Sequence, residues 1–385
     1  MRICCIANAP SIHTQKWVGY LAHKGHEIHL ISPVPFEGDF HGEEFGNIAL
    51  YLLKRVQPQI RIISFLIDTL SLIVQTRKLV RKIKPDILHA HYISDNGFLA
   101  AMTRFHPLVL TVLGSDVFWD PQRSPIDRYK VRFALKRADL ITTSFRYTTE
   151  YIRQELLDVS PSKLKVLPWG LDTNLFKKGY LNEVSMLRKN LGISDNTFTI
   201  LSPRAMREHY GIEYIVKSIP YIIEKYPDIC FIFLRGSTMP PEYENKVCTI
   251  AKNLGVKAYT RFVSQHLDQK EMPIYYNMCD VLISIPKTDQ IGFSILEGMA
   301  CGVIPIVSNL RINLEILTDG ENAFFVDREN PKDIADKVMH CIEHPELKER
   351  FYTINRRIVE DLDWKKNAPH MDELYLGLLK ERPPK

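Results

Sequence analysis

Short apolar runs alternate with amphipathic segments along the whole chain. In the first half the strand-like runs fall at 3–7, 28–32, 48–53, 87–91, 108–113 and 140–143. Segments with helical spacing lie between most of them, at 13–24, 62–83, 95–104, 125–137 and 146–157. The runs are continuous in Val, Ile and Leu, as in strands buried on both faces. Such strands alternating with helices predict a parallel sheet covered on both sides. The connection 165–178, KVLPWGLDTNLFKK, is rich in turn residues and reads as a hinge.

A second α/β series begins at 197–203 and continues with strand-like runs at 229–234, 257–263, 281–285, 303–307 and 323–326. Its clearest helix follows Gly211, where Ile212, Ile215, Val216, Ile219, Ile222 and Ile223 form one apolar stripe. Further helical segments lie at 241–254, 268–278, 294–300 and 331–343, and the tail from Pro345 is helical in pattern. The expected fold class is therefore α/β, with two doubly wound domains. Ligands of such sheets bind beyond the carboxyl ends of the strands, so a cleft between two such domains is the expected active site.

Composition narrows the picture. The chain has 385 residues, 45% hydrophobic and 25% charged, an ordinary globular balance that excludes disorder, collagen and coiled coil. The apolar stretch 60–74 is broken by Arg61, Ser64, Asp68, Thr69 and Ser71. It falls short of the roughly 20 residues that span a bilayer, so no integral membrane segment is expected. The opening MRICCIANAP is too short an apolar run for a signal peptide and reads as a first strand. Seven cysteines without C-x-x-C or Cys/His spacing point to reduced thiols, with no metal site. The net charge of +5 hides an asymmetry. Residues 1–180 hold 24 Lys+Arg against 16 Asp+Glu, whereas 181–385 hold 26 against 29.

The richest stretch for chemistry is 289–307, DQIGFSILEGMACGVIPIV, which reads as loop, helix and strand. Gly292 frees the loop, Ser294 fits an N-cap, and the amides of Gly292, Phe293, Ser294 and Ile295 at a helix start suit a phosphate. Asp289 and Glu297 would bracket the ligand. Equally, Ser294 and Glu297 have the spacing of a capping box, in which Glu297 only satisfies a backbone donor. Both readings fit the residues.

This stretch resembles the signature of family-4, GT-B-type retaining glycosyltransferases, in which an acidic residue precedes a Gly-Phe and a Glu-Gly-Met-Ala-Cys-Gly-Val run. Further elements follow the family's order. They are Pro10-Ser-Ile-His13 with Trp17, Gly25-His-Glu-Ile, Asp86-Ile-Leu-His-Ala-His91, Gly114-Ser-Asp116, Leu167-Pro-Trp-Gly-Leu-Asp172, Pro203-Arg204 and Asp319-Gly-Glu-Asn-Ala. The resemblance covers nearly the whole chain. It implies two Rossmann-like domains facing across a cleft, an acceptor-binding one at 1–172 and a nucleotide-sugar-binding one at 173–360. A C-terminal helix at 361–385 is expected to pack back on the first. It implies a retaining transfer from a nucleotide-diphosphate sugar to a hydroxyl acceptor, with no metal and no cofactor, the nucleotide sugar being a substrate.

By that resemblance Arg204 contacts the diphosphate beside the amides of 292–295, Glu297 accepts the ribose hydroxyls, and Asp289 holds a sugar hydroxyl. Four departures stand out. A Lys expected before Gly211 is absent, leaving Arg207 or His209 to substitute; the first acidic residue is Asp289 rather than Glu; Leu113 replaces a His; and Asn8-Ala9-Pro10 replaces a Gly-Gly. On the acceptor side, His13, His91 and Asp116 are candidates, His91 and Asp116 also as catalytic residues, with Asp116 a contact or base. Each has a structural alternative: helix capping, a strand-end hydrogen bond and an Asx turn, respectively.

The basic residues have two readings as well. Arg77, Lys78, Arg81, Lys82 and Lys84 close one helix, and Arg128, Lys130, Arg132, Lys136 and Arg137 follow. They fit solvated helix faces, or a surface for anionic lipid or a lipid-linked diphosphate acceptor. A cytoplasmic protein, peripheral on the inner face of the membrane, is the expectation. Nucleic-acid binding is disfavoured because no aromatic platform accompanies the charge. A nicotinamide oxidoreductase is disfavoured because no G-x-G-x-x-G follows a strand. A nucleotide-sugar epimerase of the same architecture and a non-catalytic nucleotide-sugar-binding homologue remain as competitors.

Overall fold

The computed structural model describes residues 1–38, 40, 48–56, 61–235, 241–264 and 267–380, with 61–65 and 241 described as backbone only. Ile60, where the apolar stretch 60–74 begins, lies outside the described residues. The chain divides into two units, Met1–Trp169 with Asn367–Lys385, and Gly170–Lys366. The first division falls three residues earlier than expected, and the chain re-enters the first unit at Asn367 rather than at residue 361.

Among the described residues the first unit is built on seven parallel strands: β1 (Arg2–Ile6), β2 (Glu27–Ser32), β3 (Ile48–Leu52), β4 (Ile87–His91), β5 (Leu108–Thr111), β6 (Leu140–Thr143) and β7 (Leu164–Val166). Their order is β3-β2-β1-β4-β5-β6-β7. The central strands have no solvent face: Ile3, Cys4, Cys5, Ile6, Ile87 and Leu88 are fully buried. That is why they read as unbroken apolar runs. β7 lies in the stretch expected as a hinge. It is a short edge strand with Lys165 and Val166 exposed, so it carries no such run. On the helix Trp364–Lys380, Met371 and Tyr375 are buried, and Asp372 meets His26 at 3.0 Å within this unit.

The second unit has six parallel strands: β8 (Phe198–Ser202), β9 (Ile229–Leu234), β10 (Thr260–Val263), β11 (Val281–Ser284), β12 (Ile304–Ser308) and β13 (Phe324–Val326). Their order is β10-β9-β8-β11-β12-β13. The stripe from Ile212 to Ile222 is buried against the sheet, within a core that includes Phe231, Phe233, Ile283 and Ile306. A helix at Leu181–Leu191 was not expected from the pattern. It buries none of its residues fully, and Leu181 and Met186 are among the most exposed apolar side chains. With no apolar stripe to a core, only its backbone identifies it. Residues 95–104, expected as one helix, form a π-helical turn at Ile93–Gly97 running into an α-helix at Phe98–Met102.

Within the second unit, Gly170 is held by close backbone approach. Its φ of +62° is left-handed, and a Cβ there would strike the Leu362 carbonyl oxygen and the Trp364 nitrogen. Leu171 donates to the Leu362 carbonyl at 3.2 Å and accepts from the Trp364 amide at 2.9 Å. Thr173 donates to Asp363 through its amide at 3.1 Å and its hydroxyl at 2.5 Å. The stretch that reads as a hinge is thus pinned at 170–173 to residues 362–364. Gly170→Ala is expected to lower stability by about 1–3 kcal/mol from backbone strain alone. Chemical denaturation of the two chains side by side measures it.

Candidate functional site

In the second sheet the strand order reverses between β8 and β11, and the loops that leave these neighbouring strands carry the expected donor-side residues. Arg204 stands two residues past β8. The loop after β11 runs through Asp289 to the helix Phe293–Cys301. Arg204 and Asp289 form an ion pair with side chains only 12% and 15% exposed. A second guanidinium nitrogen, Nη1, donates to Ser294 Oγ at 3.4 Å, and the guanidinium lies 4.1 Å from the Tyr210 ring centre. Burial opposes the Arg204 charge, but Asp289 and Tyr210 outweigh it and raise its pKa. Gly292 leaves room for this guanidinium, since a Cβ there would meet Arg204 Nη1 and push it aside.

Of the two readings of the helix start, the capping box does not form. Gly292, at φ −67° and ψ 138°, is the N-cap, so Ser294 is the second helical residue. Its hydroxyl serves Arg204 instead. Glu297 lies on the same helix face one turn later, and it accepts a hydrogen bond from Tyr276 Oη at 2.8 Å. Of the four amides expected to be open, Ile295 is committed, donating to the Gly292 carbonyl at 2.9 Å. Phe293 and Ser294 occupy the first two positions, which have no intrahelical acceptor, so the positive helix end remains aimed into the loop. Arg204, Asp289, Ser294 and Glu297 are therefore brought together at one place.

The two substitutes for the absent Lys differ in kind. Arg207 is exposed. The His209 ring sits at 2.5 Å from the Thr288 carbonyl through Nε2, and burial lowers its pKa. A ring that donates to a carbonyl and resists protonation fixes the loop rather than supplying charge. Arg207 alone is a permanent cation.

In the first unit, His13 and His91 come together around Trp169. The Trp169 ring centre lies 5.8 Å from His13, 4.9 Å from His91 and 5.4 Å from Trp17. His91 in turn stacks edge-on to His89 at 4.6 Å. His89 is fully satisfied, through Nδ1 to Tyr375 Oη and Nε2 to Thr111 Oγ1, both at 2.6 Å. His91 Nδ1 is buried without a hydrogen-bond partner among the described residues. Burial lowers the His13 pKa to about 4, with help from Lys16, and lowers that of His91 to about 3, with help from His13. His89 is also lowered by burial and by His91. All three rings are neutral at pH 7.

Asp116 is not in that group. Its carboxylate is wholly buried and accepts from the amides of Ile93 at 2.8 Å, Gly114 at 2.7 Å and Leu113 at 3.1 Å. Burial raises its pKa to about 6 against those bonds. This is the turn-holding alternative rather than the acceptor contact. The carboxylate clamps Ile93, the first residue of the π-helical turn, and so supports Tyr92, whose φ of +75° is strained for a tyrosine.

Just beyond β1 and β4, where the first sheet reverses its own strand order, that turn opens on a pocket of 280 Å³. Its wall includes Asn8, Arg55, Tyr92, Asn96, Arg123 and Lys130. Sequence reasoning missed most of these, and it also missed Tyr276. A left-handed tyrosine and a π-helical turn leave no periodic mark on the sequence.

These features place both units in one class, the Rossmann-like α/β domains of the GT-B glycosyltransferase fold. Family models agree with it: "Glycosyl transferase 4-like" matches residues 2–144 and "Glycosyl transferases group 1" matches residues 184–357. The chain belongs to this group-1, family-4 glycosyltransferase family. Among curated proteins it is similar to spore coat protein SA of Bacillus subtilis, 26% identical over 62% of this chain, where it spans 64% of that protein's length. It is also similar to the N-acetyl-alpha-D-glucosaminyl L-malate synthase of Bacillus anthracis, 22% identical over 94% of this chain and 92% of that protein. Among solved structures it is similar in fold to Anabaena Alr3699/HepE in complex with UDP-glucose. The TM-score there is 0.79 at 16% identity, covering 98% of this chain and all of the other.

The histidine group makes an acid-stability prediction. An unfolded histidine titrates near pH 6.5, whereas His13 and His91 titrate near 4 and 3 when folded. Between those values the unfolded chain binds more protons, so stability present above pH 6.5 is lost as pH falls toward 4. Asp116 opposes this, since its raised pKa lets the folded form bind a proton below about pH 6. The histidines outnumber it, and each net proton contributes about 1.4 kcal/mol per pH unit. Unfolding midpoints measured from pH 7 to 4 should fall, and His91→Gln should flatten the slope.

Proposed function

We propose that this chain is a retaining glycosyltransferase that moves a hexose from a nucleotide-diphosphate sugar to an acceptor hydroxyl without a metal. The observation that carries this reading is Arg204, held against Asp289 and Ser294 at the start of the helix Phe293–Cys301. Leaving-group charge builds on a diphosphate as the sugar departs, and a buried cation beside a helix N-terminus is preorganised to meet it. Arg207 is the second cation available. Glu297 accepts the ribose hydroxyls and Asp289 a sugar hydroxyl, a role it takes up when the diphosphate replaces it on Arg204. The UDP-glucose complex of the similar Anabaena protein supports a nucleotide sugar as donor. The acceptor sits on the first unit, near His91 and His13, and no cofactor is required.

A thermal-shift series against nucleotide sugars is the direct test. A donor at 100 times its Kd adds about 2.7 kcal/mol, a readable shift. Arg204→Ala should cut transfer by roughly 10²–10³-fold in a folded protein, since one preorganised donor is worth about 3–4 kcal/mol in the barrier, and Glu297→Ala should cut it by a similar order through lost hydrogen bonds from the ribose. Full turnover by either variant overturns the assignment. Conversion of the nucleotide sugar to its epimer without acceptor would instead show an epimerase. Donor binding without turnover across acceptors would show a non-catalytic binding protein.

An anionic membrane is the proposed surface on which the acceptor is met. Among the described residues, no helix is long and apolar enough to cross a membrane. The helix Arg61–Ile83 exposes Leu66, Leu70 and Val74 at four-residue spacing, with exposed Lys78, Arg81 and Lys82 continuing toward its end. That arrangement suits an interface of apolar and anionic groups. Co-sedimentation with anionic but not neutral vesicles, weakened by salt, is the expected outcome; binding indifferent to salt contradicts it.

A further inference from the structure

We infer that the 280 Å³ pocket beyond β1 and β4 takes an uncharged sugar ring as acceptor, not a phosphorylated or carboxylated one. This rests on the transferase reading above and names the acceptor class for it. The pocket falls at the low end of ligand-site sizes, roughly 300–1,000 Å³, so it suits one ring rather than an extended chain. Among the described residues its wall carries three cations, Arg55, Arg123 and Lys130, matched by three carboxylates, Asp68, Asp95 and Asp127.

Each cation is already met. Arg55 lies 3.3 Å from Asp68. Lys130 lies 3.5 Å from Asp95 and 3.8 Å from Asp127. Arg123 lies 4.0 Å from Asp127 and 3.4 Å from Asp120, which Ser94 also holds. An anionic ligand would have to compete with these carboxylates for the cations and would meet their like charge, a modest bias against that ligand because the pairs are partly exposed.

The orphan group on the wall points the same way. Asn96 is 1% exposed, and its amide nitrogen donates to the His91 carbonyl at 2.8 Å and to Asn8 Oδ1 at 3.3 Å. Its Oδ1 is buried with no hydrogen-bond partner among the described residues. A buried acceptor atom calls for a donor, which a hydroxyl supplies. Sugar hydroxyls donate and accept at once, so they bridge the ion pairs without changing the charge. A phosphate dianion offers nothing to donate. The strained backbone of Tyr92, which also lines the pocket, is the kind of distortion retained where a side chain must face a ligand.

The test is an acceptor panel: neutral methyl and octyl glycosides against sugar phosphates and dicarboxylates, each with a nucleotide sugar accepted in the thermal-shift series. Slow donor hydrolysis by the wild-type chain without acceptor is measured first, so failure of the transferase reading is seen there and not in the panel. The wild type should use a neutral glycoside with the lower KM. Asp68→Asn with Asp95→Asn removes the carboxylate facing Arg55 and leaves Lys130 with Asp127 alone. It should raise the neutral-acceptor KM about tenfold and shift relative use toward sugar phosphates. Asp95→Asn alone, at an exposed position, should move both in the same direction and covers the case in which the double variant misfolds. A lower wild-type KM for a phosphorylated or dicarboxylic acceptor overturns the inference, as does an unaltered preference in a folded variant. If the donor is not turned over at all, saturation-transfer NMR reads the pocket directly. Methyl glycosides should then bind the wild type and lose signal in the variant, and preference for sugar phosphates, or no binding, overturns the inference.

Discussion

A parallel sheet whose strand order reverses is the constraint on which this chain's chemistry rests. Right-handed crossovers carry successive helices to one face while strands are added in one direction, and to the other face once the direction changes. At the reversal the loops from two neighbouring strands part and leave a crevice that the fold does not fill. The reversal occurs between β1 and β4 in the first sheet and between β8 and β11 in the second. Asn8, Tyr92 and Asn96 border the first crevice, and Arg204 and the loop to Gly292 border the second. The buried strands hold these loops at fixed separation, so the side chains need little help in finding one another.

The two crevices manage charge in opposite ways. In the second unit one buried arginine is balanced by a single carboxylate, and the helix end beside it adds positive potential. That arrangement favours exchange of the carboxylate for a ligand with more negative charge. In the first unit the cations and carboxylates of the pocket wall pair with one another among the described residues, and the neighbouring histidines are held uncharged by burial. The excess of eight positive charges in residues 1–180 is therefore not spent on the pocket. A good part of it lies on exposed helix faces, as at Lys78, Arg81 and Lys82.

Much of this was legible along the chain. β4, β6 and β9 coincide with their runs because burial on both faces leaves no exposed position to impose an alternation, even His89, His91, Thr142 and Thr143 being buried. The edge strand β7 and the helix Leu181–Leu191 escaped the pattern for the converse reason, since neither buries a full apolar face. The loop 289–292 and Glu297 were legible because a helix start, a glycine and two carboxylates occur within nine residues. Tyr276, Tyr92 and Asn96 were not. They reach their sites from other elements, through a phenol on a neighbouring helix, a left-handed backbone and a π-helical turn.

The ambiguities that spacing left open were decided by contacts. Ser294 and Glu297 have the interval of a capping box, and Asp116 has the setting of either a base or an Asx turn; local sequence is the same for both members of each pair. What separated them was the partner supplied from elsewhere: Arg204 on Ser294, the Tyr276 hydroxyl on Glu297, and the Ile93 amide on Asp116, which joins the local amides of Leu113 and Gly114. The sequence by itself determined the α/β class, the two sheets and most of their strands, because hydrophobic periodicity is a local property that burial imposes directly. Only the tertiary structure decided which polar groups carry chemistry and which hold the backbone, because a hydrogen bond between residues 20 to 90 positions apart is set by packing rather than by spacing.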